Sequence, residues 1–408
     1  MVPSLIINLK DWFRIMAKFD FNNSRLAKFF GSQENTAYLQ SFLNKKEIFF
    51  TNYGWYKTQG HNASFLTTTD NYGLATFNVK ARKLKAAPMA DLRAPLGDSN
   101  QMDKNGHKWY TASIPDFITP GYVETAVERY ARIKQFEEFG NDADILADWS
   151  DEVQTRIDSV DATMNFMTAQ LMSTGKIDYS GIGRGISTPL HKAIDPIEYG
   201  DNFINGGAKK WADPSATILT YMKEKEAKYR ETRGGFDGAL VWQMNSNTFY
   251  NVFLKNAEVR ELVTNYRQLN YIASTKTMPI SKEQFIKAFV DFEGVSPIEI
   301  VTEKERNLTH TTDEYKQGWS DNIVVLRPAG DACEFERTDS LDRKLIEYAG
   351  NKAISTLFGT TNDGLGLLMN SVVPNGKYME WHTDIMFSAC PALIDFPDHC
   401  IMDITKTD

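Results

Sequence analysis

The six histidines, His61, His107, His191, His310, His382 and His399, are the first residues to test for chemistry. No two stand four apart, the spacing that would put a pair of imidazoles on one helix face to hold zinc. His382, Cys390, His399 and Cys400 fall in one short stretch, but their spacing matches no zinc pattern, and they read as partly buried strand residues. The three cysteines, Cys333, Cys390 and Cys400, form no C-x-x-C pair, so neither a disulfide scaffold nor a zinc ribbon is expected. Such usage fits a reducing compartment. Gly181-Ile182-Gly183-Arg184-Gly185 has the glycines of a phosphate loop without the G-x-G-x-x-G register, and Pro189 and Pro196 interrupt the helix such a loop needs. It reads as a turn. Neither G-x-x-x-x-G-K-[ST] nor G-x-S-x-G occurs. The expectation is therefore no catalytic residue, no metal ligand and no cofactor site.

One charged cluster stands out: Lys80, Arg82, Lys83 and Lys85, with Arg93 just beyond. An exposed strand carrying gatekeeping charges is the bland explanation. Nucleic-acid binding would want interleaved aromatics, and Phe77 alone is weak support. The net charge of −8 also argues against phosphate binding as the main task. A basic strand on an acidic protein can instead find carboxylates on a neighbouring copy of the same chain. These five residues are the candidate inter-subunit contacts.

The elements that would position this cluster divide the 408 residues into several parts. Residues 1–50 read as an arm, with a short apolar stripe at Ile6, Leu9, Phe13, Met16 and Phe19. The opening residues lack a basic, apolar leader pattern, and no apolar run approaches the ~20 residues that span a bilayer. Ala75, Phe77, Val79 and Ala81 alternate with polar residues, and Asn105-Gly106 is a tight-turn pair before a second strand at 108–113. Together they form a long two-stranded excursion, which has no core of its own and must lie on something else. A helix is expected over 122–139. A second follows from Asp151 to Thr174, its stripe running through Trp149, Val153, Ile157, Val160, Met164, Met167 and Leu171. Asp148 or Ser150 would cap it, Gly175 would stop it, and it would measure about 36 Å. After Trp211 helices and strands alternate. A helix is expected from Asp213-Pro214 to Gly234, a buried strand at 239–244 and helices at 247–254 and 258–266. A further helix at 281–292 carries the Ser281/Gln284 capping box, strands follow at 298–301 and 323–326, and the stretch 379–405 is β-like.

Two of these parts cannot bury their apolar surface alone, which is how a subunit of an assembly looks. Ala81–Asp98, Ser113–Arg129, Asp158–Gly181, Phe236–Val263, Trp319–Gly330 and Pro391–Ile404, in that order, resemble the major capsid proteins of tailed phages with the Hong Kong 97 fold. In texture they are most similar to the lambda-type (family E) capsid proteins. The resemblance implies an α+β fold with an N-terminal arm (1–50), an extended β-hairpin loop (51–115) and a peripheral domain with a long spine helix (116–212). It also implies an axial α/β domain (213–326), a return through the peripheral domain (327–390) and a C-terminal axial strand (391–408). Neighbouring subunits would pack around the spine helix. The function implied is a non-enzymatic head subunit, self-assembling as hexamers and pentamers into an icosahedral shell around double-stranded DNA. The implied partners are a separate scaffolding protein, a portal and a decoration protein, with no membrane and no sequence-specific DNA contact. The implied location is the virion capsid, with the host cytoplasm during assembly. The rival readings are a cytosolic α/β enzyme of hydrolase type, centred on 211–330, and a tail or decoration protein.

Overall fold

The computed structural model describes residues 61–62, 75–82, 107–114, 116–118, 131, 134, 142–178, 190–192, 200–270, 282–302, 304–308, 313–338, 357–360, 366–375, 378–394 and 396–408. The arm, nearly all of the helix expected over 122–139, Gly181–Gly185 and, of the expected capping box, Ser281 and the Gln284 side chain lie outside them. The fold is of mixed α+β type. In chain order, β1 (Ala75–Arg82) and β2 (His107–Ile114) are followed by α1 (Asp142–Thr174), β3 (Phe203–Asn205), α2 (Ile218–Thr232) and β4 (Leu240–Asn245). Next come α3 (Ser246–Asn251), α4 (Ala257–Asn270), α5 (Lys282–Glu293) and β5 (Ile298–Val301). The chain continues through β6 (Glu305–Leu308), β7 (Asp313–Lys316), β8 (Ile323–Pro328), β9 (Leu357–Thr360), β10 (Gly366–Asn375), β11 (Tyr378–Leu393) and β12 (Cys400–Asp403).

The chain divides into two compact units, 1–49 with 116–161 and 339–388, and 50–115 with 162–338 and 389–408, so that two of the boundaries fall inside α1 (Asp161/Ala162) and inside β11 (Ser388/Ala389). In the first unit β9, β10 and β11 form an antiparallel meander, irregular between Leu368 and Ser371. The short strand Asp116–Ile118 adds to β11, with Met386 opposite Ile118.

The second unit is built on a five-stranded sheet in the order β3-β12-β8-β4-β5. Strand β4 is buried at every position, because both of its faces are covered, and this explains its near-continuous apolar run. Trp211, Met222, Trp242, Phe249, Phe253, Phe285 and Phe289 form the centre of the core, each at most 4% exposed. The rings interlock edge to face: Phe253 lies 5.7 Å from Phe289 and 6.0 Å from Phe285, centroid to centroid. Each buried Phe contributes roughly 1.5–3 kcal/mol, which makes this cluster the main stabilising element of the unit.

Two helix starts differ from expectation. Helix α1 has 33 residues, roughly 50 Å, and begins at Asp142 instead of Asp151. Asp142 and Asp144 sit at its positive end, so Asp148 and Ser150 lie inside the helix rather than capping it. Its end is as expected: Gly175 has φ of 73° and its N–H donates to the Leu171 carbonyl at 2.8 Å. Helix α2 begins at Ile218, not at Pro214. The Asp213 carboxylate accepts from the Ser215 N–H (2.9 Å) and hydroxyl (2.8 Å), turning the chain before the helix starts. The free N–H groups of Leu219 and Thr220 are then bonded by Glu258 of α4, at 2.8 and 3.3 Å.

Candidate assembly surfaces

Strands β1 and β2 pair antiparallel over their full length, from Ala75 opposite Ile114 to Arg82 opposite His107. The period-two stretch is thus a hairpin strand, as its alternation implies. Lys80 stands opposite Trp109 and Arg82 opposite His107. Lys83, Lys85 and Arg93 lie outside the described residues, so only two of the five candidate contacts have a place in the fold.

Helix α1 changes character along its length. Ile157, Val160, Met164, Met167 and Leu171 are all at most 2% exposed, which puts the apolar stripe in the core. Asp144, Ala147, Asp151, Thr155, Asp158 and Ser159 are exposed, whereas none of residues 161–174 is. The closed end is packed without slack. A Cβ on Gly318 would stand 2.4 Å from the Phe166 carbonyl oxygen, and the Ser320 N–H donates to the Ser173 hydroxyl at 3.1 Å. Among the described side chains of this helix, every exposed one lies at or before Ser159.

The buried charges of the second unit hold the sheet to its covering segments. The Glu226 carboxylate accepts from the Trp242 indole (2.6 Å), the Ser296 N–H (2.9 Å) and the Ser296 hydroxyl (3.0 Å), tying α2 to β4 and to the approach to β5. Arg233 donates from Nε to Asp398 at 2.7 Å, with side-chain exposures of 5% and 1%, and its guanidinium lies 3.5 Å from the Tyr229 ring centroid. Burial, reinforced by Asp398, holds the Tyr229 hydroxyl above the ordinary tyrosine range. The Asn202 amide donates to the carbonyls of Phe396 (3.3 Å), Pro397 (3.0 Å) and His399 (2.8 Å), fixing the turn before β12. Arg327 donates to Gln243 at 2.9 Å and to the Pro328 and Gly330 carbonyls at 2.7 and 2.9 Å. Burial lowers its affinity for a proton, and Glu299 opposes that.

Cys390 and His399 are buried and Cys400 is half-buried, as expected for this stretch, while the side chain of His382 lies outside the described set. Among the described residues no group of three or more His, Cys, Asp and Glu could hold a metal ion. No described helix is long and apolar enough to cross a membrane.

A surface that sequence reasoning missed is the β6–β7 hairpin. It is a two-stranded sheet of its own, with Arg306 opposite Tyr315 and Leu308 opposite Asp313. The Arg306 guanidinium donates to both Asp313 oxygens, at 2.8 and 2.9 Å, which holds the Asp313 carboxyl below the usual carboxylate range. Tyr315 is 69% exposed. The only hint in the sequence is the polar, charge-alternating run Lys304–Lys316.

No family model matches this chain, and no curated protein matches it. Solved structures do. The capsid protein proposed for a prophage of E. coli CFT073 is 14% identical, with 90% of this chain and 98% of that one covered and a TM-score of 0.46. A phage-related protein of Bordetella bronchiseptica RB50 is 10% identical over 80% of this chain and 87% of its own, at a TM-score of 0.40. The capsid protein of Ralstonia phage GP4 is 10% identical over 82% and 83%, at 0.35. All three are phage capsid or phage-related proteins.

Proposed function

We propose that this chain is the major capsid subunit of a tailed phage, a structural protein that self-assembles into an icosahedral head around double-stranded DNA. The observation that carries the reading is the order of the parts. An antiparallel pair of strands (Ala75–Arg82 with His107–Ile114), a 33-residue helix stopped at Gly175 and a sheet whose strand Cys400–Asp403 pairs back to Phe203–Asn205 follow one another as the resembling segments do. The reading is further supported by the buried charges Glu226, Arg233, Asp398 and Arg327, all engaged in bonds that hold the fold. In this reading the hairpin belongs to an extended loop (51–115). Helix α1 is the spine of a peripheral domain (116–212, with a return at 327–390), and the axial domain (213–326 and 391–408) supplies the five-stranded sheet apart from its edge strand β3, which comes from the end of the 116–212 segment. Copies form hexamers and pentamers, and small contacts per copy accumulate into a closed shell. A scaffolding protein, a portal and a decoration protein act as separate chains, and assembly takes place in the host cytoplasm.

The basic strand supplies the contact to the adjacent copy. Lys80, Arg82, Lys83, Lys85 and Arg93 meet carboxylates of that copy, which requires no net positive charge on the whole protein. The test is electron microscopy of the chain co-expressed with the neighbouring genes of its operon. Closed shells, or rings of five and six, are expected, whereas monomers alone would refute the reading. The double reversal Lys80→Glu with Arg82→Glu should abolish shells while leaving a folded subunit. Shells of normal yield would reject this contact.

A further inference from the structure

We propose that the β6–β7 hairpin is a second assembly contact, through which two copies of this chain meet face to face about a two-fold axis. The proposal rests on the shell reading above and adds to it a surface unrelated to the basic strand. A two-stranded sheet is marginal in water by itself. This one is held out on a rigid stem: Gly318 lies against the backbone of α1 and Ser320 is bonded to Ser173. The strand register puts Arg306, Asp313 and Tyr315 on one face. Arg306 and Asp313 are each 53% exposed there although they are joined by two short bonds, and Tyr315 exposes still more. An exposed tyrosine beside an arginine held flat by a carboxylate is the composition of an interface centre, where Tyr and Arg dominate binding. The fork is already ordered, so little side-chain freedom remains to be lost on contact.

Charge identifies the occupant. The chain as a whole carries −8, so copies repel one another on average. On the strand face of Arg306 and Tyr315 the register leaves one charge of each sign, Arg306 and Asp313, whereas Glu305, Glu314 and Lys316 fall on the other face. A neutral face with its positive and negative groups side by side offers nothing to a strongly acidic or basic partner. It is complementary to itself once turned through a two-fold axis. Arg306 of one copy then faces Asp313 of the other, and the reverse, with the tyrosine rings between them. Such a contact is isologous, the kind a two-fold axis of a closed shell requires.

The exchange variant Arg306→Asp with Asp313→Arg separates the possibilities, because it keeps the bond within each hairpin. It is co-expressed with the neighbouring genes, alone and together with a tagged wild-type chain. Alone it should give particles at about the wild-type yield, since the reversed face is still complementary to itself. Together, the two chains should sort into separate particles, because each mixed contact sets arginine against arginine and aspartate against aspartate. In a second arm Tyr315→Ser should raise the concentration needed for assembly by about tenfold. Random mixing in every particle, failure of the exchange variant where wild type assembles, or an unchanged Tyr315→Ser threshold would each overturn the two-fold contact and leave the shell reading standing. A wild-type chain that forms no particle under the same conditions would overturn both.

Discussion

His399 should make this protein lose stability as pH falls from about 6.5 towards 3. The imidazole is 3% exposed, its Nε2 stands 3.2 Å from the Ile394 carbonyl, and its Nδ1 has no partner. Burial, with the Arg327 cation adding to it, pushes its pKa from 6.5 down to about 3. The folded protein therefore keeps a neutral ring where the unfolded chain already binds a proton. The favourable contribution is fully present above the unfolded value of 6.5 and is lost progressively below it, until the folded form also protonates near 3. At about 1.36 kcal/mol per pH unit the loss is roughly 2 kcal/mol at pH 5 and between about 4 and 5 kcal/mol at pH 3. The perturbation is His399→Gln, which keeps a donor for Ile394 and cannot titrate. The assay is urea unfolding followed by tryptophan fluorescence, on both proteins, between about pH 7.5 and about pH 5. Carboxylates common to both cancel in the difference. The stability of wild type relative to the variant should shrink by about 2 kcal/mol across that range. Parallel pH profiles would refute the reasoning, because they would mean that the ring is charged or solvated in the folded protein.

Two further substitutions test the packing. Asp398→Ala leaves the Arg233 cation buried without its carboxylate, and should lower stability by about 3–5 kcal/mol in denaturant titrations, with Asp398→Asn intermediate. Gly318→Ala would drive a methyl group to 2.4 Å from the Phe166 carbonyl oxygen and 2.9 Å from the Ala169 Cβ. It should cost about 1–3 kcal/mol, seen as a lower thermal midpoint, whereas wild-type stability would show that the stem can move off α1.

Much of the local structure was legible because its cause is local. The period of two at Ala75–Arg82 marks a paired strand, and the stripe from Ile157 to Leu171 and the apolar run of β4 report which faces are covered. The start of α1 was misplaced because three early acidic residues, Asp142, Asp144 and Asp148, all suit a positive helix end and only one can lie at the boundary. Strand β10 is hard to read from the sequence because the irregularity between Leu368 and Ser371 breaks the alternation that would mark it. The two proposed contact surfaces are unequally legible. A cluster of cations such as Lys80 and Arg82 announces itself in sequence, but a neutral face such as that of Tyr315 does not. Its residues come together only through the pairing of two short polar strands. The bond between Arg233 and Asp398 joins residues 165 positions apart, and no spacing rule reaches that far.

The place of β12 in the sheet has a consequence for the timing of synthesis. This strand lies between β3 and β8, with Ile401 paired to Phe203 and to Val325. Strand β3 has no other partner in the sheet, so it emerges from the ribosome and waits for a segment about 200 residues behind it, roughly 10–40 s at ordinary translation rates. For the last part of that interval, the roughly 70 residues or about 4–14 s between β8 and β12, β8 too presents an open edge in place of a finished sheet. A growing chain is thus exposed to mispairing with its neighbours on the same message until its last strand arrives. A holdase that covers the β8 edge during those seconds should raise the yield of soluble subunit more than one that acts after release.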